Sequence, residues 1–390
     1  MSRSLAALLI LAASAAPLQA GPRAVRLSWS QPDTATTMTV TWQSDSTGDP
    51  SVVRYGTDGD LDQEATGTVF QGNEGLGAIH VVELTELTPD TSYTYQAGGP
   101  GAWSATYGFR TAPDQPCTPV HFVAFGDNRP DVDWLPQIHW NPILSEAAGA
   151  LPLFLLHTGD IVKDGGDTGQ WNTFFESSGD YLANTPFMAS IGNHDDGPGD
   201  GDSANYNQLL AYPRNTVTQT EDFYFVTTPD LIVVSLSSQT FQGGSKPFQD
   251  QADWLDQVLT ENPRPWKVVQ LHHPPFTSHR NFDLYFWDFE FNHPPNEQDQ
   301  NPALVPVFDK HHVDLVLSGH NHYYERFAPL KGGPDPAEGV LAQGFHDGTV
   351  YVITGGAGAF VYDEFDVFGV ELDLISWICG DAAGSTKCSG

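Results

Sequence analysis

The sequence predicts two unlike units in tandem: an all-β sandwich over residues 21–112 and an α/β domain over residues 118–370, with a polar tail at 371–390. Three observations carry that division. Residues 21–112 read as short runs of alternating apolar and polar residues broken by Gly, Asp and Pro, the pattern of strands joined by turns. Beyond residue 117, apolar runs at 122–125, 153–156, 267–271 and 315–317 alternate with helical patterns. Most of these later runs end beside a glycine and an Asp, Asn or His, and a residue just past a strand's carboxyl end faces the crevice where open α/β sheets bind ligands. A length of 390 residues is enough for two domains with substantial cores.

The chain opens with Arg3, an apolar stretch at 5–16 and Leu18-Gln19-Ala20, which reads as a secretory signal peptide over residues 1–20. The stretch is shorter than the roughly 20 residues a membrane anchor needs, and no other run spans a bilayer. The mature chain is therefore expected to be secreted, extracellular or periplasmic, and soluble. With 16 basic and 49 acidic side chains the formal charge is −33. Such a surface repels nucleic acid and anionic membranes, which excludes binding to their phosphates through basic patches. The three cysteines do not make a disulfide framework. Cys379 and Cys388 are spaced to pair in an oxidising compartment or to stay reduced, and the sequence leaves both open.

Within the first unit, Thr37-Met38-Thr39-Val40-Thr41-Trp42 alternates strictly and puts Met38, Val40 and Trp42 on one face. Leu87-Thr88-Pro89-Asp90-Thr91-Ser92-Tyr93-Thr94-Tyr95 resembles the corner of a fibronectin type III sandwich that carries a conserved-type tyrosine. Nothing in this unit has a catalytic pattern, so its expected role is structural.

In the second unit, helices are predicted over residues 134–150, 171–181, 250–259 and 302–311. Strands are predicted at 186–191, 222–226, 231–236 and 350–354 as well as at the four runs named above. The strand ends present Asp127, Asp160, Asn193-His194-Asp195, His272-His273, and His320 with His322. Carboxylate, carboxamide oxygen and imidazole are donors that suit Mn, Zn, Fe or Mg. A single Gly-Asp pair means little, since a turn or capping aspartate has the same look. The order of all of them is the specific signal.

Gly126-Asp127-Asn128-Arg129, Gly159-Asp160, Gly192-Asn193-His194-Asp195, His272 and Gly319-His320-Asn321-His322 together resemble the calcineurin-like metallophosphoesterases. Gly319-His320-Asn321-His322-Tyr323-Tyr324-Glu325-Arg326 is similar to the purple acid phosphatase form of the last motif. The resemblance runs from about residue 22 to about residue 370. It implies a fibronectin-like sandwich ahead of a four-layer α/β/β/α catalytic domain holding two divalent or trivalent metal ions, with Fe, Mn or Zn favoured. Asp127 and His322 would hold the first ion, Asn193, His272 and His320 the second, with His273 as the fallback for His272, and Asp160 would bridge them. His194 would protonate or stabilise the leaving oxygen, and Asp195 would orient His194; Arg129 and His279 are candidate substrate contacts on their own chemistry, since the family's substrate histidines sit at a somewhat different spacing from His279. The implied reaction is hydrolysis of a small phosphate monoester by a metal-bound hydroxide attacking in line with the leaving alkoxide.

This chain departs from the family pattern at two places. Purple acid phosphatases carry a tyrosine three residues after the bridging aspartate, where this sequence has Lys163, and many relatives carry histidine where it has Arg129. A lysine does not supply the tyrosinate that colours the ferric site, so the protein is expected not to be purple. The first site keeps Asp127, Asp160 and His322 and is expected to bind its ion more weakly. Arg129 suits either a phosphoryl oxygen or a structural ion pair. His157 reads as a core histidine. A phosphodiesterase or nucleotidase of the same fold is the nearest alternative, and a secreted scaffold with an impaired centre is the alternative from another class.

Overall fold

The computed structural model describes residues 21–130, 139–195, 201–238, 248–277, 300–333 and 339–359, and the backbone of 376–377. The expected signal peptide, His279, nearly all of the aromatic and proline-rich segment at 281–300, and Cys379 and Cys388 lie outside the described residues.

Eight strands build the first unit: β1 (Arg23–Ser28), β2 (Met38–Ser44), β3 (Val52–Gly56), β4 (Gln63–Thr66), β5 (Thr68–Gln71), β6 (Ala78–Leu84), β7 (Ser92–Gly98) and β8 (Tyr107–Arg110). They form two antiparallel sheets, ordered β1-β2-β6-β5 and β4-β3-β7-β8. Met38, Val40 and Trp42 are buried as their alternation predicts. The Tyr93 hydroxyl accepts the Thr88 amide at 2.9 Å and closes the tyrosine corner.

Alternation alone would leave the other face of β2 to water, yet β2 is buried along its whole length. The cause is the second unit. Arg26 and Ser28 pair opposite Thr41 and Thr39 on that face, and they donate to the carbonyls of Leu209 at 2.6 Å and Ala211 at 2.7 Å. From the other sheet, the Tyr95 hydroxyl donates to the Ala183 carbonyl at 2.7 Å. Trp29 packs edge-on against Phe154, with ring centroids 5.7 Å apart. A single apolar cluster therefore runs from Val25 through Trp29 and Phe154 into the second unit. Shared burial of this kind makes the two units one cooperative body.

The second unit runs β9 (Val120–Phe125), α1 (Trp140–Gly149), β10 (Phe154–His157), α2 (Thr168–Ser178), α3 (Tyr181–Asn184), β11 (Phe187–Ala189), α4 (Asn205–Leu209), β12 (Tyr224–Thr227), β13 (Leu231–Ser235), α5 (Phe248–Glu261), β14 (Trp266–Gln270), α6 (Asn301–His311), β15 (Leu315–Ser318), β16 (Tyr324–Arg326), β17 (Leu330–Gly332), β18 (Gly339–Leu341), β19 (Val350–Thr354) and β20 (Ser376–Trp377). One sheet is ordered β11-β10-β9-β20 and the other β12-β13-β14-β15-β19-β16, with β17 and β18 a separate hairpin. The helix expected over 171–181 is two helices, because Gly179 turns the chain at φ 55° and ends α2.

The four layers follow from the two-residue period of the strands. Val234, Val269, Val316 and Tyr351 pack outward with Leu255 of α5 and Val305 and Phe308 of α6. Their neighbours Val233, Val268, Leu315, Leu317 and Val352 face the other sheet and join the cluster that holds Phe125, Leu156, Trp140 and Phe174. The order is thus helices, sheet, sheet, helices. No helix among the described residues is long and apolar enough to cross a membrane.

β11 is an edge strand, and its free side meets side chains of the second sheet and the loop before it. The carbonyl of Ala189 accepts the hydroxyls of Tyr206 at 2.7 Å, Tyr224 at 2.8 Å and Ser235 at 3.4 Å, and its amide donates to the Tyr212 hydroxyl at 2.9 Å. Gln270 of β14 donates to the Met188 carbonyl at 3.1 Å. These bonds satisfy an edge that would otherwise be exposed backbone.

Candidate metal centre

The parallel strands of both sheets end at one crevice. β9 delivers Asp127, β10 Asp160, β11 Asn193 and His194, β14 His272, and β15 His320 and His322. Asp127, Asp160 and His320 each take the left-handed backbone conformation, with φ of 62°, 59° and 67°. Non-glycine residues bear strain there, and such strain collects at functional sites. Gly192 and Gly319 show why glycine flanks these residues. A Cβ on Gly192 would fall on the Asp160 amide nitrogen and Oδ1, and one on Gly319 would fall on Asp127 Oδ2.

Two ligand groups result, and Asp160 touches both. In the first, Asp127, Asp160 and His322 are all buried and offer one ligand atom each within 4.8 Å of one another. In the second, His272 Nδ1 lies 2.9 Å from the Thr158 carbonyl. A carbonyl only accepts, so the proton is on Nδ1 and Nε2 presents a lone pair. That lone pair lies 2.9 Å from Asn193 Oδ1 and 3.3 Å from Asp160 Oδ1. His320 Nδ1 lies 3.0 Å from the same Asn193 oxygen and 3.3 Å from His272 Nε2. Lone-pair atoms crowd this closely when a cation sits among them. The edges of a coordination polyhedron with bonds of about 2.1 Å measure about 3.0–3.4 Å. The donor set fits a metal ion.

His273, the fallback ligand, offers a ring nitrogen within 4.8 Å of those of His272 and His320, and its Nδ1 sits 2.8 Å from the Ser238 hydroxyl. His157 is a core residue. It takes the Gly159 amide at Nδ1 (3.1 Å), sits 2.7 Å from Asn128 Oδ1 through Nε2, and burial drives its pKa down to about 3. Asn128 is thereby engaged in the core as well.

The charges of the centre are arranged around Asp160. Burial alone would raise its pKa, but His272, His194, Arg129 and His320 together hold it below the ordinary carboxylate range. Burial first, and then the Asp160 charge, push Asp127 well above that range. Burial lowers His272, keeping its ring neutral and ready to ligate. Arg129 forms an ion pair with Asp160, Nε to Oδ2 at 3.1 Å.

The expected contact between Asp195 and His194 is not the one that forms. Asp195 Oδ1 accepts the amides of Ile161 at 2.6 Å and Val162 at 3.1 Å, and Oδ2 those of Asp160 at 2.7 Å and Gly192 at 2.9 Å. It ties the two ligand loops together from beneath. Burial and the Asp160 charge push its pKa up to about 7, against the pull of the amides. His194 is oriented instead by the Lys163 carbonyl, 2.7 Å from Nδ1, which places a proton on Nδ1. The orienting groups that sequence reasoning missed are the carbonyls of Thr158 and Lys163, which every residue type carries. At the rim, the Tyr323 hydroxyl meets Thr277 Oγ1 at 2.7 Å and accepts from Asn321 Nδ2 at 2.9 Å, and burial raises it to about 12, so it stays a neutral phenol.

Residues 22–111 match the family model of the purple acid phosphatase N-terminal domain, and residues 140–324 that of the calcineurin-like phosphoesterases. An uncharacterized protein of Mycobacterium tuberculosis is 27% identical over 327 residues, 72% of this chain and 58% of its own length. This chain thus spans little more than half of that relative. Probable purple acid phosphatase 20 of Arabidopsis thaliana is 28% identical over 328 residues, covering 79% of this chain and 69% of the relative. A solved purple acid phosphatase from yellow lupin (Lupinus luteus) seeds shares the fold with a TM-score of 0.68 at 21% identity, over 92% of this chain and 68% of that one.

Proposed function

From its membership of the calcineurin-like phosphoesterases, in the branch with a purple acid phosphatase N-terminal domain, we propose that the chain is a secreted phosphatase that hydrolyses small phosphate monoesters at a dinuclear metal centre. The observation that carries the reading is the convergence of Asn193, His272, His320 and Asp160 on one another at 2.9–3.3 Å, beside the group of Asp127, Asp160 and His322. Metal ions bound there, with Fe, Mn or Zn suited to the donors, supply a water of lowered pKa and positive charge for the phosphoryl oxygens.

The chain's own residues do the rest. Asp160 belongs to the group of Asp127 and His322, and its Oδ1 lies 3.3 Å from His272 Nε2, so it links the two groups. His194 donates its Nδ1 proton to the Lys163 carbonyl, which fixes the ring, and would serve the leaving oxygen as an acid through Nε2 in the doubly protonated form, the Nε2 proton going to that oxygen. Asp195 sets the loops on which Asp160, Asn193 and His194 sit, a positioning role. Arg129 keeps Asp160 ionised, and His279 remains proposed as a substrate contact. The signal-like residues 1–20 support export.

Hydrolysis of matched aryl phosphate monoesters and diesters by chain reconstituted with Mn, Zn or Fe tests the reading. Monoester preference and its loss in Asp160→Asn are expected. Diester preference would make the protein a phosphodiesterase, and no turnover with any metal would leave a scaffold.

A further inference from the structure

The two oxygens of Asp160 have different neighbours. Oδ1 faces the second ligand group, 3.3 Å from His272 Nε2, and accepts the His194 amide at 3.0 Å. Oδ2 accepts Nε of Arg129 at 3.1 Å, in an ion pair whose arginine side chain is 13% exposed and whose aspartate is 1% exposed. Arg129 is also fixed through its backbone, whose amide donates to the Asp160 carbonyl at 3.2 Å. A guanidinium does not lose its proton in a protein, so this is a permanent charge. An ion held by Asp127, Asp160 and His322 has to share Asp160 with it.

We propose that Arg129 is a resident counter-cation of the centre, which makes loading unequal: the group of Asn193, His272, His320 and Asp160 fills first and tightly, and the group of Asp127, Asp160 and His322 fills second and weakly. The inference rests on the two-metal reading of the site and assigns the difference in affinity to one side chain. Two cations that share a carboxylate repel each other. For a divalent ion about 5 Å from a guanidinium, full water screening already weakens binding about tenfold, and burial strengthens the effect. In the partly loaded centre Arg129 neutralises Asp160, which a second ion would otherwise do.

Equilibrium dialysis of the metal-stripped full chain against Mn2+, with electron paramagnetic resonance at each loading, tests this. One ion per chain should bind tightly with the spectrum of an isolated ion, and a second at least about tenfold more weakly. Arg129→Met should narrow that gap about tenfold by removing the charge, and Arg129→Lys should keep the gap by retaining it. Two ions binding with equal affinity in the wild type would overturn the proposal, as would a gap unchanged in Arg129→Met. Should the methionine variant not fold, Arg129→His, which removes the permanent charge and adds a donor, should bind two ions tightly, and a persisting gap in it would overturn the proposal too. A chain that binds no Mn2+ overturns both the proposal and the two-metal reading. Unequal binding without ester turnover upholds the proposal and removes only the hydrolase reading.

Discussion

Asp195→Asn separates a carboxylate that orients a catalytic histidine from one that ties loops together. Each oxygen of Asp195 accepts a pair of amides, Ile161 with Val162 on Oδ1 and Asp160 with Gly192 on Oδ2. Asparagine has the same shape but only one oxygen, and its amide nitrogen accepts nothing. Whichever way the side chain turns, two buried N–H donors lose their partner. At about 1–3 kcal/mol for each, the variant should lose about 2–6 kcal/mol of stability. Urea unfolding of the metal-stripped chain at pH 8 measures it, above the value near 7 to which burial and Asp160 push Asp195, so that the wild-type group is ionised. Affinity for the first Mn2+ should fall in parallel, because the loops of Asp160 and Asn193 are no longer tied. A variant within about 1 kcal/mol of wild type, with unchanged metal affinity and only a shifted pH profile of turnover, would refute the reasoning and restore the histidine-orienting role.

Three further outcomes follow from the same structure. His157 is buried and neutral with a pKa of about 3, while the unfolded side chain titrates near 6.5. Below pH 6.5 the unfolded state therefore binds the extra proton, and stability falls as pH falls; between pH 7 and 4.5 this group should remove about 2.5 kcal/mol, a loss that His157→Gln should abolish in urea titrations at the two pH values. Gly192→Ala would put a methyl onto the Asp160 amide and Oδ1, so turnover should drop at least about a hundredfold, and a variant with near-normal rates would show that this close approach is dispensable. Tyr95→Phe leaves the buried Ala183 carbonyl without its donor and should cost about 1–2 kcal/mol in a single unfolding transition; two separate transitions would show that the sandwich and the second unit do not share a core.

The centre was legible where side-chain chemistry is unusual for its setting. Asp127, Asp160, Asn193, His272, His320 and His322 are polar residues placed right after apolar strands, and the fold brings all six to one crevice. The four layers were less legible, since an apolar run does not say which of its faces meets a sheet and which a helix. Only the packing of Val233 against one layer and Val234 against another reveals it. The role of Asp195 was misread because adjacency in sequence to His194 suggested a contact, whereas the left-handed turn at Asp160 brings the three amides of residues 160–162 beneath it. The break of the helix at Gly179 was visible as a glycine, but a helical pattern resuming at Tyr181 masked it.

The hydroxyls around Ala189 have a consequence for how the centre comes into being. Half of its ligands, Asp127, Asp160 and Asn193, ride on one sheet, and the other half, His272, His320 and His322, on the other. At β11, among the described residues, no backbone ladder joins the sheets; Tyr224, Ser235 and Gln270 of the second sheet do, helped by Tyr206 and Tyr212 of the segment between them. Either sheet formed alone carries half a ligand set and holds an ion poorly, so tight metal capture reports that the two halves have docked in register. An ion bound there would in this sense recognise a correctly assembled seam and, by binding only the docked state, stabilise it.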